Sequence, residues 1–168
     1  GTPLNANVGD NSVVITVGDG TTTVTDSFTI TVANTNDAPT ISSTAVTAAT
    51  EDSAYSYTVV AADVDSGDTV TLTGTTVPSW LTFTASTGVL TGTPTNDEVG
   101  SHAVVITATD ASGATGTDTF TIVVANTNDA PTVTSTAVTT ATEDSAYTYT
   151  VTASDVDVGD TLTMTGTT

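Results

Sequence analysis

Along most of the chain, apolar residues alternate with threonine, serine or another small polar residue. Tyr55, Tyr57 and Val59 are separated by Ser56 and Thr58, and Val104, Ile106 and Ala108 by Val105 and Thr107. Phe120, Ile122 and Val124 continue the pattern. A period of two places such residues on one face of a half-buried strand. The pattern predicts strands at Thr40–Val46, Ala54–Val60, Thr69–Thr73, Leu81–Thr84, Val89–Thr91, Ala103–Thr109 and Thr119–Ala125. Gly, Ser and Asp fill the gaps, and no stretch carries a helical period. Seven short alternating strands predict an all-β, immunoglobulin-like sandwich.

The strand pattern repeats. Glu51-Asp52-Ser53-Ala54-Tyr55 returns 92 positions later at Glu143–Tyr147, and Asp63-Val64-Asp65 at Asp155–Asp157. "ANTNDAPT" occurs at Ala33–Thr40 and again at Ala125–Thr132. Gly1-Thr2-Pro3 aligns with Gly92-Thr93-Pro94, 91 positions on, so one residue is gained in the loop between Asp110 and Asp118. Residues 37–128 therefore read as one complete repeat. Residues 1–36 read as the C-terminal part of a preceding repeat, and residues 129–168 as the N-terminal part of a following one. A half-repeat buries little core alone. The expectation is a segment of a long tandem array, with short linkers that make a rod.

Charge then changes the picture. The chain has 19 acidic residues, no Lys or Arg, and one histidine, His102. With nothing to neutralise phosphate, nucleic acid is excluded as a partner, and docking to an anionic membrane surface is disfavoured for the same reason. No apolar run approaches the ~18 residues of a membrane span, and no signal peptide is visible at Gly1. There is no cysteine, so disulfides cannot staple small domains, whereas metal can. No Asn-x-Ser/Thr sequence occurs, which leaves only O-linked sugar open.

The acids fall in two kinds of place. Asp63, Asp65 and Asp68 crowd the loop "ADVDSGD", and Asp110 ends a strand in "TATDASG". Asn34, Asn36 and Asp37 lie in the linker that enters at the same end of the predicted sandwich. Glu51 and Asp52 belong to the opposite end, facing the next linker, Asn126–Asp129. Carboxylates brought that close repel unless they are protonated or bridged, and no basic residue is present to bridge them. Calcium takes ~6–8 oxygen ligands, carboxylates and carbonyls included, and suits this set better than magnesium. Catalysis finds no support: no cysteine exists, no serine sits beside a base, and His102 reads as an exposed strand residue. Trp80 reads as a cap on the core beside Pro78 and Leu81, and Tyr55 and Tyr57 as core residues whose hydroxyls reach an edge.

"NTNDAP", "DVD", "TATDASG" and "ATED" together resemble the linker, Asp-x-Asp loop, strand end and first-strand Glu of cadherin repeats. The stretch from Pro78 to Gly113 resembles more closely the dystroglycan-type, cadherin-like repeats of large bacterial surface adhesins. This resemblance implies Ca2+ at each junction. At the first the implied ligands are Asn34, Asn36, Asp37, Asp63, Asp65 and Asp110. At the second they are Glu51, Asn126, Asn128, Asp129, Asp155 and Asp157, with Asp68 and Asp160 as further candidates. The cadherin Asp-Arg-Glu segment is replaced by "GTPTNDE", where Asp97 or Glu98 could substitute. The implied role is structural: a secreted, cell-surface extender of calcium-stiffened repeats, whose partners are the adjacent repeats of the same chain. Two alternatives stay open. One is a polysaccharide-binding accessory module. The other is a fibre subunit whose end repeats are completed by neighbouring chains.

Overall fold

A computed structural model describes residues 1–166. These form thirteen strands and two single-turn 3-10 helices, and no helix among them is long and apolar enough to cross a membrane. The sandwich expected from the alternation is present. One sheet has the order β4 (Ala48–Thr50), β11 (Thr115–Ala125), β10 (Gly100–Thr109), β7 (Thr71–Thr76); the other runs β5 (Tyr55–Thr58), β9 (Val89–Gly92), β8 (Leu81–Thr84). Tyr55, Tyr57, Leu81 and Leu90 of the second sheet pack on Val104, Ile106 and Ile122 of the first. Leu90, Val104, Ile106 and Ile122 are fully enclosed. Pleating imposes this result, because alternate Cβ atoms point to opposite faces.

The aromatics take their expected places. Trp80 is half-buried against the core, edge-on to Tyr55 at 5.8 Å, and Phe120 stands edge-on to Tyr57 at 5.6 Å. Tyr55 donates its hydroxyl to the Val46 carbonyl at 2.7 Å, and the Tyr57 hydroxyl meets Ser43 Oγ at 2.8 Å. Burial, with Tyr57 adding to it, pushes the Tyr55 hydroxyl up to about 12.

Strand boundaries differ from the sequence reading most at three places, while β9 ends one residue later and β10 and β11 begin three and four residues earlier than expected. The stretch Thr40–Val46 is not one strand. β3 (Thr40–Ile41) pairs with β6 (Ala61–Ala62), and the chain then crosses to the other sheet as β4, parallel to β11. The expected strand Ala54–Val60 likewise breaks into β5 and β6. At both breaks one side chain replaces the ladder: Ser43 Oγ accepts the Val60 N–H at 2.9 Å. The third predicted strand lies slightly later, at Thr71–Thr76, with a bulge against β10 between Val105 and Ile106. Nine strands thus stand between residues 40 and 125, where seven are expected.

The flanks repeat parts of this plan. β1 (Gly9–Gly18) and β2 (Thr23–Val32) pair in the register of β10 and β11, from Gly9↔Val32 to Gly18↔Thr23 against Gly100↔Val124 to Thr109↔Thr115. The turn between β10 and β11 is one residue longer, which is the residue gained in the sequence. Ile15, Phe28 and Ile30 of this hairpin are exposed, whereas their counterparts Ile106 and Ile122 are buried and Phe120 is half-buried. Among the described residues, no counterpart of β5, β8 and β9 lies over it. β12 (Thr132–Val133) pairs with β13 (Ala153–Ser154) as β3 pairs with β6.

Candidate metal centre

Two acidic centres form, one where each "NTND" segment meets an Asp-Val-Asp loop. At the first, the Asp37 backbone N–H donates to Asp65 Oδ2 at 2.7 Å, and Asp65 N–H donates to Asp63 Oδ1 at 2.9 Å. The second has the same bonds: Asp129 N–H to Asp157 Oδ2 at 2.7 Å, and Asp157 N–H to Asp155 Oδ1 at 3.0 Å. An Asp-x-Asp turn in which the first side chain caps the third residue's N–H is a local Asx-type motif. It holds the third carboxylate against the linker backbone. The turns close with Asp68 N–H on the Asp65 carbonyl and Asp160 N–H on the Asp157 carbonyl, each with a left-handed glycine, Gly67 or Gly159, just before.

Asp110 reaches the first centre from the β10–β11 turn. Its Oδ1 accepts Ser112 and Ala114 N–H, and its Oδ2 accepts the Asn36 amide at 2.8 Å. The Asn36 bond, then those backbone bonds against some burial, holds its carboxyl below the usual range. Carboxylate oxygens of Asp63, Asp68 and Asp110 lie within 4.8 Å of one another. Burial, then the charges of Asp63, Asp110 and Asp65, pushes the Asp68 carboxyl up.

Glu51 reaches the second centre by a route that begins in the sheet. β4 runs parallel to β11, so both strands end together at Thr50 and Ala125. Asp52, held at φ 57 in the left-handed region, donates its N–H to the Pro94 carbonyl and turns the chain there. Asp144, its counterpart, has φ 59. Glu51 is only 1% exposed, accepts the Thr127 N–H through Oε1, and gathers with Asp129 and Asp157 within 4.8 Å. Asp155, Asp157 and Asp160 form an overlapping group of the same span.

The structure brings most of the expected site residues together at two places. Asp63, Asp65, Asp68, Asp110, Asn36 and Asp37 surround the first centre; Glu51, Asp129, Asp155, Asp157 and Asp160 surround the second. Asn128 donates to the Asp129 carbonyl at 2.8 Å, as Asn36 does to that of Asp37 at 2.9 Å. Asn34 and Asn126 stay exposed in their linkers. Glu98 does not take the bridging place considered for it. It caps its own 3-10 turn, Asn96–Glu98, by accepting Thr95 N–H and Oγ1, both at 2.9 Å. Asp97 is exposed. His102 is half-buried, not exposed: its Nε2 donates to the Glu98 carbonyl at 2.6 Å, and its ring packs edge-on to Trp80. Asn5 and Asn96, which the sequence reading passes over, each donate an amide to a linker aspartate, Asp37 at 2.8 Å and Asp129 at 2.7 Å. Their signal was the alignment of Pro3 with Pro94.

The donor set suits a hard cation. Every side chain in both centres offers oxygen, which favours ions of the calcium class over soft metals. Glu51 Oε2, Asp63 Oδ2, Asp65 Oδ1 and Asp157 Oδ1 are buried without a hydrogen-bond partner. A buried carboxylate oxygen without hydrogen or cation is costly, so the residues present fit a bound ion.

A profile of the family described as "Putative Ig domain" matches residues 38–125. The chain belongs to this family. It is 36% identical over 114 residues to a "Serine-rich adhesin for platelets" of Staphylococcus aureus strain MRSA252, a match covering 67% of this chain and 8% of that protein. The same adhesin of strain MW2 matches at 36% over 5% of its length. The chain thus spans under a tenth of these relatives. Among solved structures, the protocadherin gamma B4 extracellular domain superposes at a TM-score of 0.60, 23% identical, over 92% of this chain and 30% of that one. Cadherin domains 1–4 of protocadherin gamma B7 superpose at 0.56, 20% identical, over 92% and 42%. The fold is therefore Ig-like and cadherin-like, and the chain is an Ig-like repeat akin to those of surface adhesins.

Proposed function

We propose that the chain is a stretch of an extracellular extender, in which residues 37–128 form one full repeat and bound calcium stiffens the joints with the part-repeats 1–36 and 129–168. The observation that carries this reading is the pair of buried, unpartnered oxygens at the second joint, Glu51 Oε2 and Asp157 Oδ1. Glu51 belongs to one repeat and Asp157 to the next, with the linker residue Asp129 between them. A cation held by all three would fix the angle between repeats; at the first joint the linker and loop bonds recur, Asp37 on Asp65 and Asp65 on Asp63, with Asp110 beside them. The role is mechanical, not catalytic. It holds a distal part of a longer protein away from a cell surface, and adjacent repeats are its partners. The staphylococcal adhesin relatives support the surface location. The half-buried Trp80, with Tyr55 and His102 at its edges, gives the polysaccharide reading no exposed platform.

The test pairs thermal melting with small-angle scattering, in calcium, in magnesium and in excess chelator. Extracellular calcium modules bind at ~10⁻⁴–10⁻³ M, so 10 mM calcium contributes about 1.4–2.7 kcal/mol per ion. For a repeat of this size that corresponds to a rise of roughly 5–20 °C. The expected result is this rise in calcium alone, with a longer and straighter particle. Identical melting and scattering in calcium and chelator would overturn the proposal.

A further inference from the structure

The two 3-10 turns, Asn5–Asn7 and Asn96–Glu98, occupy the same place in successive repeats. Each sends its first asparagine to the aspartate of the following linker: Asn5 Nδ2 to Asp37 Oδ2 at 2.8 Å, and Asn96 Nδ2 to Asp129 Oδ2 at 2.7 Å. An amide has two ends. With the nitrogen on Asp129, Asn96 Oδ1 remains, and it is buried with no hydrogen-bond partner. Glu51 Oε2 and Asp157 Oδ1 are in the same condition, and both residues bring oxygens within 4.8 Å of Asp129. Three residues that each carry an acceptor without a donor, on three separate elements, meet at one linker carboxylate. Acceptors gathered without donors need a cation among them.

We infer that Asn96 Oδ1 is a neutral ligand of the cation at the second joint. This inference rests on the calcium reading above. It also explains why an amide, rather than an acid, stands there. An aspartate at position 96 would add a further negative charge beside Glu51, Asp129 and Asp157, and would put a repelling oxygen where the amide now donates. The asparagine supplies an oxygen to the ion and a proton to Asp129 at once. The joint therefore keeps one hydrogen bond across it when the ion is removed.

The test is calcium titration calorimetry and melting in chelator on the whole chain, with Asn96→Ala and Asn96→Asp. Asn96→Ala should weaken one class of calcium site by about tenfold and leave the other unchanged. Asn96→Asp should move the two readouts apart, with tighter calcium binding at that site and a lower melting temperature in chelator. Asn96→Asp is isosteric and keeps the question open to test if Asn96→Ala does not fold. Should both variants bind calcium as the unsubstituted chain does and melt lower by the same amount with and without it, Asn96 is only a clip. The inference then falls and the calcium reading stands. Should the unsubstituted chain take up no calcium, both fall together.

Discussion

Glu51 carries the sharpest consequence at the scale of single residues. It is buried, one oxygen accepts the Thr127 N–H, and the other has no partner. An ionised carboxylate in that position destabilises the ion-free fold and stabilises the ion-bound one. Glu51→Gln keeps an acceptor for Thr127 and removes the charge. The expected outcome is a change of sign: a higher melting temperature than the parent in chelator, and a lower one in 10 mM calcium. A shift of the same sign in both buffers would mean that Glu51 serves packing alone. Gly116 makes a second, metal-independent prediction. A Cβ built there would stand 2.1 Å from the Pro39 carbonyl oxygen, where β11 begins beside the entering linker. Backbone cannot step aside cheaply, so Gly116→Ala should cost about 1–3 kcal/mol, read as an earlier urea midpoint at unchanged slope.

Strands and turns show where sequence carried the fold and where it did not. The burial of β5, β10 and β11 was legible because pleating ties burial to parity, and Tyr55, Tyr57, Val104, Ile106, Ile122 and Val124 obey it. The acidic loops were legible because Asp-Val-Asp and the linker both recur at a fixed spacing. What parity does not reveal is where a strand leaves its sheet. That crossing depends on Ser43, whose hydroxyl accepts from Val60 and meets the hydroxyl of Tyr57. Both bonds lie 14 or more positions away, and a serine in "ISSTAV" looks like any other small polar residue. Asn96 escaped for a similar reason, since an asparagine in a turn ordinarily serves the turn, and here its partner is 33 positions on. Ser43→Ala removes the one group that serves both breaks. It should cost about 1–2 kcal/mol and strip hydrogen-exchange protection from the Val60 amide, while Leu90 in the adjoining sheet stays protected. Equal loss at both amides would show that the break is not an independent element.

For the whole molecule, the balance of charge sets how stability responds to acid. With 19 carboxylates and no Lys or Arg, the fold without metal is opposed by its own repulsion at neutral pH. The perturbed groups divide into two sets with opposite signs. The Asp68 carboxyl is raised, by burial and then by Asp63, Asp110 and Asp65. The folded state therefore holds that proton more tightly than the unfolded chain, and the penalty lifts as pH falls through the raised value. Asp110, lowered by the Asn36 amide and backbone N–H groups, and Glu98, lowered mainly by Thr95, act the other way. Their stabilisation is complete above the ordinary carboxylate value and is lost only as pH falls through their lowered ones. In chelator, the melting temperature should thus rise as pH drops from 7 toward the carboxylate range, pass a maximum there, and fall below it. Calcium bridges the same oxygens that the protons relieve, and protons and calcium compete for them. In 10 mM calcium the rise should vanish, and acidification should lower the melting temperature from the outset. Melts at half-unit pH steps with and without calcium read both curves. Parallel curves would place the ions away from Asp68 and its neighbours, and would remove the electrostatic basis for a calcium-stiffened joint.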